Sequence, residues 1–227
     1  MKYQNVLFDL DGTLTDPAEG ITNSVAHALR RMGMTPPPRK ELLCYIGPPL
    51  TYGFVEYGGV AESEAERAVE LYREHFAVKG LFENEIYDGV PELLGALKAA
   101  GVGVYLATSK PTVFSKRILE HFGIAEYFDG IVGSELDGHR VDKAEVIRYV
   151  LDTYKIPRDS AVMIGDRKFD IAGALSEGIA AVGVSYGYGS RDELTDEGAA
   201  VIADSPAELL GIIIQQSGGK PFPKIFI

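Results

Sequence analysis

Cysteine is all but missing from this chain of 227 residues, which holds Cys44 and no other. A single thiol closes no internal disulfide, so a reducing compartment is expected and the core must carry the fold. Nor does Cys44 read as a nucleophile, because Leu42-Leu43-Cys44-Tyr45 is an apolar stretch that suits a packed structural thiol. Positive charge is also scarce: 22 Lys and Arg stand against 33 Asp and Glu, a formal net charge of -11. That balance argues against nucleic acid and anionic membrane surfaces as partners, because both need clustered cations. It leaves room for a small anionic metabolite, since one site can be locally positive in an acidic protein. No apolar run is long enough to span a membrane. Met1-Lys2-Tyr3-Gln4-Asn5 leads into an apolar strand without a signal-like segment, so a cytoplasmic protein is expected. His27, His75, His121 and His139 lack the spacing of a zinc site and read as helix-surface or loop residues. Internal repeats are absent too.

What is present is ordinary globular material, 46% hydrophobic and 24% charged. The chain opens on Val6-Leu7-Phe8-Asp9-Leu10-Asp11-Gly12-Thr13-Leu14-Thr15-Asp16, an apolar strand that delivers two carboxylates, a glycine and a hydroxyl to one turn. Asp16-Pro17 then starts a helix, with Ile21, Val25, Ala28, Leu29 and Met32 at helical spacing and Gly33 at its end. Short helices are expected through Leu42 and Leu43 and over Thr51–Tyr57, either side of the turn Ile46-Gly47-Pro48-Pro49, and a longer one over Ala61–Val78. This helical run is too long for a simple connection, so residues 16–84 are expected to form a small inserted domain. From Asp88 onward helix and strand alternate. Apolar strands fall at Val102–Ala107, within Tyr127–Gly133, at Ala161–Ile164 and at Ala180–Val184, with a short edge strand at Val201-Ile202 and a last helix over Pro206–Gln215. Strands apolar on both faces and separated by helices imply an α/β fold, a doubly wound parallel sheet of Rossmann-like kind built from residues 1–15 and 85–227. The tail from Ser217-Gly218-Gly219-Lys220 onward is punctuated by Gly and Pro and is given no structure.

Open α/β sheets bind ligands at the carboxyl ends of their strands, so the residues that end each strand are informative. The first apolar strand ends in Asp9 and Asp11, a second in Thr108 and Ser109, and a third in Asp166 with Asp170 close behind. Lys143 opens the helix before that third strand. Carboxylates gathered without an arginine partner repel one another, and a hard divalent cation with oxygen ligands relieves this. Magnesium bridging Asp9, Asp166 and a phosphate oxygen, an Asp nucleophile, and a second Asp as proton carrier would together perform phosphoryl transfer. Thr108, neighbouring N–H groups and Lys143 would hold the remaining phosphate oxygens. Each element alone has a plainer use. Asp-x-Asp-Gly-Thr suits a turn, Thr108 and Asp166 suit helix caps, and Lys143 beside Asp142 suits an exposed ion pair. Tyr186-Gly187-Tyr188-Gly189 lacks a following lysine and reads as a flexible connection. Four such elements in order at one sheet edge favour the chemical reading.

These residues resemble the four motifs of the haloacid dehalogenase superfamily, in the branch typified by phosphoglycolate phosphatases. Asp9-Leu10-Asp11-Gly12-Thr13 matches the first motif, Thr108 the second, Lys143 the third, and Gly165-Asp166-Arg167-Lys168-Phe169-Asp170 the fourth. The resemblance implies Asp9 as nucleophile and Asp11 as general acid and base. It implies Mg2+ held by Asp9, the backbone carbonyl of Asp11, and Asp166, with Asp170 supporting the metal water or Lys143. Gly12, Thr13, Thr108, Ser109 and Lys143 would receive the phosphate. Residues 16–84 resemble the family's helical cap, whose loop Ile46-Gly47-Pro48-Pro49-Leu50 would reach the substrate, making Gly47 a candidate contact. Many relatives follow the third-motif lysine with Pro, whereas Ala144-Glu145 follows Lys143. Gly138-His139-Arg140 is a further candidate to bring positive charge near the substrate.

The resemblance implies a magnesium-dependent phosphatase acting through an aspartyl phosphate on a small phosphomonoester of the phosphoglycolate kind. A 5'-nucleotidase, a pyrophosphatase or a β-phosphoglucomutase-type transferase shares the same motifs. Dehalogenases of the superfamily lack the second aspartate, and Asp11 is present. Phosphonate hydrolysis needs a cap lysine, for which Lys40 and Lys79 are unpromising settings. A binding module without turnover would be expected to lose Asp9 or Asp11. The oligomeric state is open between monomer and dimer.

Overall fold

Val6, Leu7 and Phe8 form the centre of the fold because a strand alternates its side chains between two faces, and here both faces are covered. The computed structural model describes residues 3–214; the Ser217–Lys220 tail lies outside the described residues. In chain order the elements are β1 Asn5–Phe8, β2 Thr15–Asp16, α1 Ala18–Arg31, α2 Leu50–Glu56, α3 Ala65–His75, β3 Glu85–Ile86 and α4 Val90–Ala99. They continue as β4 Gly103–Pro111, α5 Thr112–His121, β5 Gly130–Ser134, α6 Lys143–Tyr154, β6 Ala161–Gly165, α7 Lys168–Ser176, β7 Ala180–Val184, α8 Arg191–Asp196, β8 Val201–Ala203 and α9 Pro206–Ile214.

Six strands pair in the order β5-β4-β1-β6-β7-β8, all parallel. Val6 and Phe8 of β1 join Leu106, Ile164 and Val182 in one apolar cluster, while Leu7 joins Ala107, Met163 and Ala181 in the other. That is the two-sided core of a doubly wound α/β sheet. β2 and β3 form a separate antiparallel ribbon, Thr15 opposite Ile86 and Asp16 opposite Glu85. Between them the chain is helical: α1 packs on α3, a 3-10 turn covers Arg39–Tyr45, and a widened turn continues α3 through Phe76–Gly80. α1 begins at Ala18 with Pro17 at its cap, one residue later than the sequence suggests, and Asp16 Oδ1 accepts from Ala18 N at 2.9 Å. Lys40 and Lys79 are exposed. Among the described residues no helix is long and apolar enough to cross a membrane.

β4 runs further than its apolar letters suggest. It extends through Thr108-Ser109-Lys110 to Pro111, with a register shift against β5 between Ala107 and Pro111. The irregularity re-aims these polar residues at the carboxyl edge of the sheet, beside the end of β1.

Candidate active site

β1 lies between β4 and β6, so the turn that follows it opens where connections leave in opposite directions. Asp9 N donates to Ile164 O at 2.9 Å, and Gly12 N to Thr15 O at 2.8 Å, folding Leu10–Thr15 into a tight turn. Gly12 has a φ of +83°, and a Cβ there would lie 2.1 Å from Asp166 Oδ2. Only glycine lets the Asp166 carboxylate come so close to that turn. Thr13 Oγ1 donates to Asp166 Oδ1 at 3.3 Å.

The candidates from four motifs meet here. Lys143 is buried, with Nζ 2.9 Å from Asp9 Oδ1, 2.8 Å from Asp170 Oδ1 and 3.2 Å from Ala107 O. Asp142 caps α6 by accepting from Ala144 N at 2.9 Å, so it is a capping residue and leaves Lys143 to the site. Asp170 Oδ2 accepts from Arg167 N at 3.0 Å. Thr108 is buried at the same edge, its Oγ1 accepting from Lys110 N at 3.3 Å.

Burial and crowding set the electrostatics. Burial acts against the Lys143 charge, but Asp170 and Asp9 outweigh it and hold the ammonium above its usual range. Burial pushes the Asp166 carboxyl well up, and Asp170 and Asp9 push it further. Asp170 is raised to about 6 by burial and by Asp9, with Lys143 opposing. The Lys143 ammonium thus pairs with Asp9 and Asp170, and Asp166 has no ion pair among the described residues. Oxygens of Asp9, Asp166 and Asp170 lie within 4.8 Å of one another. A divalent cation supplies the missing charge and takes oxygen ligands, so the donor set fits a metal of that kind.

The site also contains groups that pattern reading passes over. Lys110 Nζ pairs with Asp11 Oδ2 at 2.7 Å, both side chains being largely buried, and sits 4.5 Å from the centroid of the Phe76 ring. Burial raises the Asp11 carboxyl, and Lys110 opposes that rise. The cue was its place two residues after Thr108. Tyr186-Gly187-Tyr188-Gly189 corrects the expectation of a flexible connection. Tyr188 N donates to Asp166 Oδ2 at 2.8 Å, Tyr186 OH to Thr13 O at 3.1 Å, and Tyr188 OH to Asp16 Oδ1. Arg140 is likewise corrected as a substrate cation, because its guanidinium is taken by Gly133 O at 3.0 Å and by Glu135. His139 is exposed beside Asp137. The cations that do line the adjoining cavity are Lys110 and Arg73.

That cavity, about 260 Å³, opens on Asp9, Asp11, Thr108 and Ser109. Gly47-Pro48-Pro49 forms part of its wall, and Tyr45, Val69, Tyr72, Phe76 and Phe114 make much of the rest apolar. Gly12, Thr13, Lys143, Asp166 and Asp170 stand behind the catalytic edge and outside the cavity lining.

The description "haloacid dehalogenase-like hydrolase" belongs to a family model that matches residues 6–184. The chain belongs to that family. This hydrolase is 51% identical over 194 residues to a protein named 5'-nucleotidase from Pseudomonas aeruginosa, covering 86% of this chain and 88% of the relative. It is 40% identical to tyrosine-protein kinase PtkA from Mycobacterium tuberculosis, over 92% of this chain and 73% of that protein. Phosphoglycolate phosphatase 1 of Pseudomonas aeruginosa is 30% identical, over 90% and 78%. A crystal structure of a predicted phosphatase from Clostridium acetobutylicum superposes with a TM-score of 0.91 at 49% identity, covering 94% of this chain and 99% of that one. The protein is therefore a phosphatase of the haloacid dehalogenase-like family, a hydrolase of phosphoric monoesters.

Proposed function

We propose that this phosphatase hydrolyses a nucleoside 5'-monophosphate through an aspartyl phosphate on Asp9, with Mg2+ as its metal. The observation that carries the substrate class is the cavity above Asp9. Tyr45, Tyr72, Phe76 and Phe114 give it a largely apolar, aromatic lining suited to a base, and a two-carbon acid would leave most of about 260 Å³ unfilled. The 51% identical 5'-nucleotidase supports the same reading.

Asp9, Asp166 and the backbone carbonyl of Asp11 would hold Mg2+, which supplies charge neutralisation at the phosphoryl oxygens when bound. Asp9 attacks phosphorus and the bond to the leaving oxygen breaks. Asp11 gives that oxygen its proton, and Lys110 beside it holds the carboxyl at the mouth of the cavity. Asp11, now a carboxylate, takes a proton from water as the water oxygen bonds to phosphorus. Phosphate leaves and Asp9 is restored. Lys143 keeps the Asp9 carboxylate oriented while Thr108 and Ser109 donate to phosphoryl oxygens. The helical segment over residues 16–84 acts as the cap that keeps bulk water from the intermediate.

The test is a substrate panel of nucleoside monophosphates, phosphoglycolate, sugar phosphates and pyrophosphate with Mg2+, repeated in excess EDTA. The expected result is the highest kcat/KM for a nucleoside 5'-monophosphate and no turnover in EDTA. A preference for phosphoglycolate overturns the substrate assignment, and unchanged rates in EDTA overturn the metal.

A further inference from the structure

Arginine side chains cross between the helical segment and the sheet domain at several points. Arg73 of α3 donates to Leu136 O at 3.1 Å, and Arg117 of α5 to Ala77 O at 3.1 Å. Arg167 makes a third crossing of a different kind. It lies between Asp166 and Asp170, and its Nη1 donates to Ile46 O at 2.6 Å. Ile46 is fully buried and immediately precedes the Gly47-Pro48-Pro49 wall of the cavity. Gly47 has a φ of +106°, and a Cβ there would lie 2.9 Å from Arg167 Nη1 and 3.1 Å from its Cγ. The loop therefore rests directly on the guanidinium. Two further groups aim it: Arg167 N donates to Asp170 Oδ2 at 3.0 Å, and Nε donates to Glu193 Oε1 at 3.0 Å. Glu193 is itself fixed in the first turn of α8, where it also accepts from Lys168 N at 2.9 Å.

We infer that Arg167 is a positioning residue for specificity: it latches the Ile46–Pro49 loop down over the cavity, from a backbone anchored in the carboxylate cluster. Arg167 stands outside the cavity lining, so it acts on the substrate through the loop. A cationic donor on a buried carbonyl is a strong, directional tie, and Glu193 supplies its counter-charge. With the latch made, the cavity wall keeps one shape and a well-fitting substrate need not order it. With the latch broken, binding must first order the loop, which weakens affinity but leaves the reacting groups in place. The effect on substrate fit rests on the proposed reading of the cavity, whereas the latch does not.

The test uses Arg167→Met, which keeps the stem and loses the donors, and Glu193→Ala, which removes the aiming group without touching the loop. In the substrate-free protein, hydrogen–deuterium exchange over residues 46–52 is expected to quicken about tenfold in Arg167→Met, the loss of one charge-assisted hydrogen bond, and less in Glu193→Ala. Exchange in β1 and β6 should stay unchanged. With the best substrate of the panel, KM should rise about tenfold in Arg167→Met while kcat holds within about threefold. Unchanged exchange over 46–52 in both variants overturns the latch. A fall in kcat at constant KM, with a weaker Mg2+ response in thermal unfolding, overturns the role in specificity and places Arg167 with the metal instead. If Arg167→Met fails to fold, Glu193→Ala decides on the same two readouts. If nothing in the panel is turned over, the proposed function fails and exchange alone decides the latch.

Discussion

At the scale of single residues, this protein repeatedly surrounds a buried acid with donors and then relies on the balance. Glu177, at the end of α7, is one example away from the active site. Arg148 donates to its Oε1 at 2.6 and 3.0 Å and Arg158 to its Oε2 at 3.3 Å. The Arg148 hydrogen bonds, against burial, hold its carboxyl below the usual glutamate range. A depressed folded-state pKa means that the unfolded chain binds the proton more readily, so stability is present at neutral pH. It is lost as pH falls below the ordinary value of 4.5 toward the folded one. Glu177→Gln should therefore lower the urea midpoint at neutral pH, and the difference from the wild type should shrink near about pH 3. Equal differences at both pH values would contradict this. That Asp9, Asp11, Thr108, Lys143, Asp166 and Asp170 meet at one sheet edge was legible in the sequence, because each lies close to the end of an apolar run or the start of a helix. Lys110 was not: its place two residues after Thr108 was a cue, but its pairing with Asp11 falls in the stretch where β4 shifts register against β5.

At the scale of elements, the sheet was legible and one loop was not. Strands with apolar letters on both faces could only be parallel and covered, which is what β1, β4, β6 and β7 are. The Tyr186–Gly189 segment read as a flexible connection because no lysine follows it to make a phosphate loop. Its order comes from contacts across more than 170 positions in the chain, with Thr13 and Asp16, and from a nearer one with Asp166. Gly187 shows why the residue type matters: a Cβ would lie 2.3 Å from Gly12 O and 2.5 Å from Asp166 Oδ2. Gly187→Ala should push Asp166 out of place. If Asp166 holds Mg2+ as proposed, the Mg2+ concentration that half-saturates thermal stabilisation is then expected to rise about 10- to 100-fold, as for residues that orient a metal ligand. An unchanged Mg2+ titration would show that the loop does not hold Asp166.

At the scale of the whole molecule, the cavity exists only where distant segments meet. Tyr45 and Phe76 come from the helical segment, Phe114 and Lys110 from the sheet domain, and each alone reads as core. Sequence could therefore place the chemistry at the sheet edge and leave the substrate open, because specificity is written in contacts between parts. The acidic surface adds that the phosphate must be met by local cations. Lys143 and Lys110 stand beside Asp9 and Asp11. The central claim is that Asp9 itself takes the phosphoryl group. The most direct measurement is to quench the working enzyme in acid, reduce it with borohydride and map its peptides. An acyl phosphate at Asp9 is converted to homoserine at that position in the wild type, and the product should be absent from Asp9→Asn, which should be inactive yet folded. Unmodified Asp9 in the wild type, together with continued turnover in Asp9→Asn, would contradict the account.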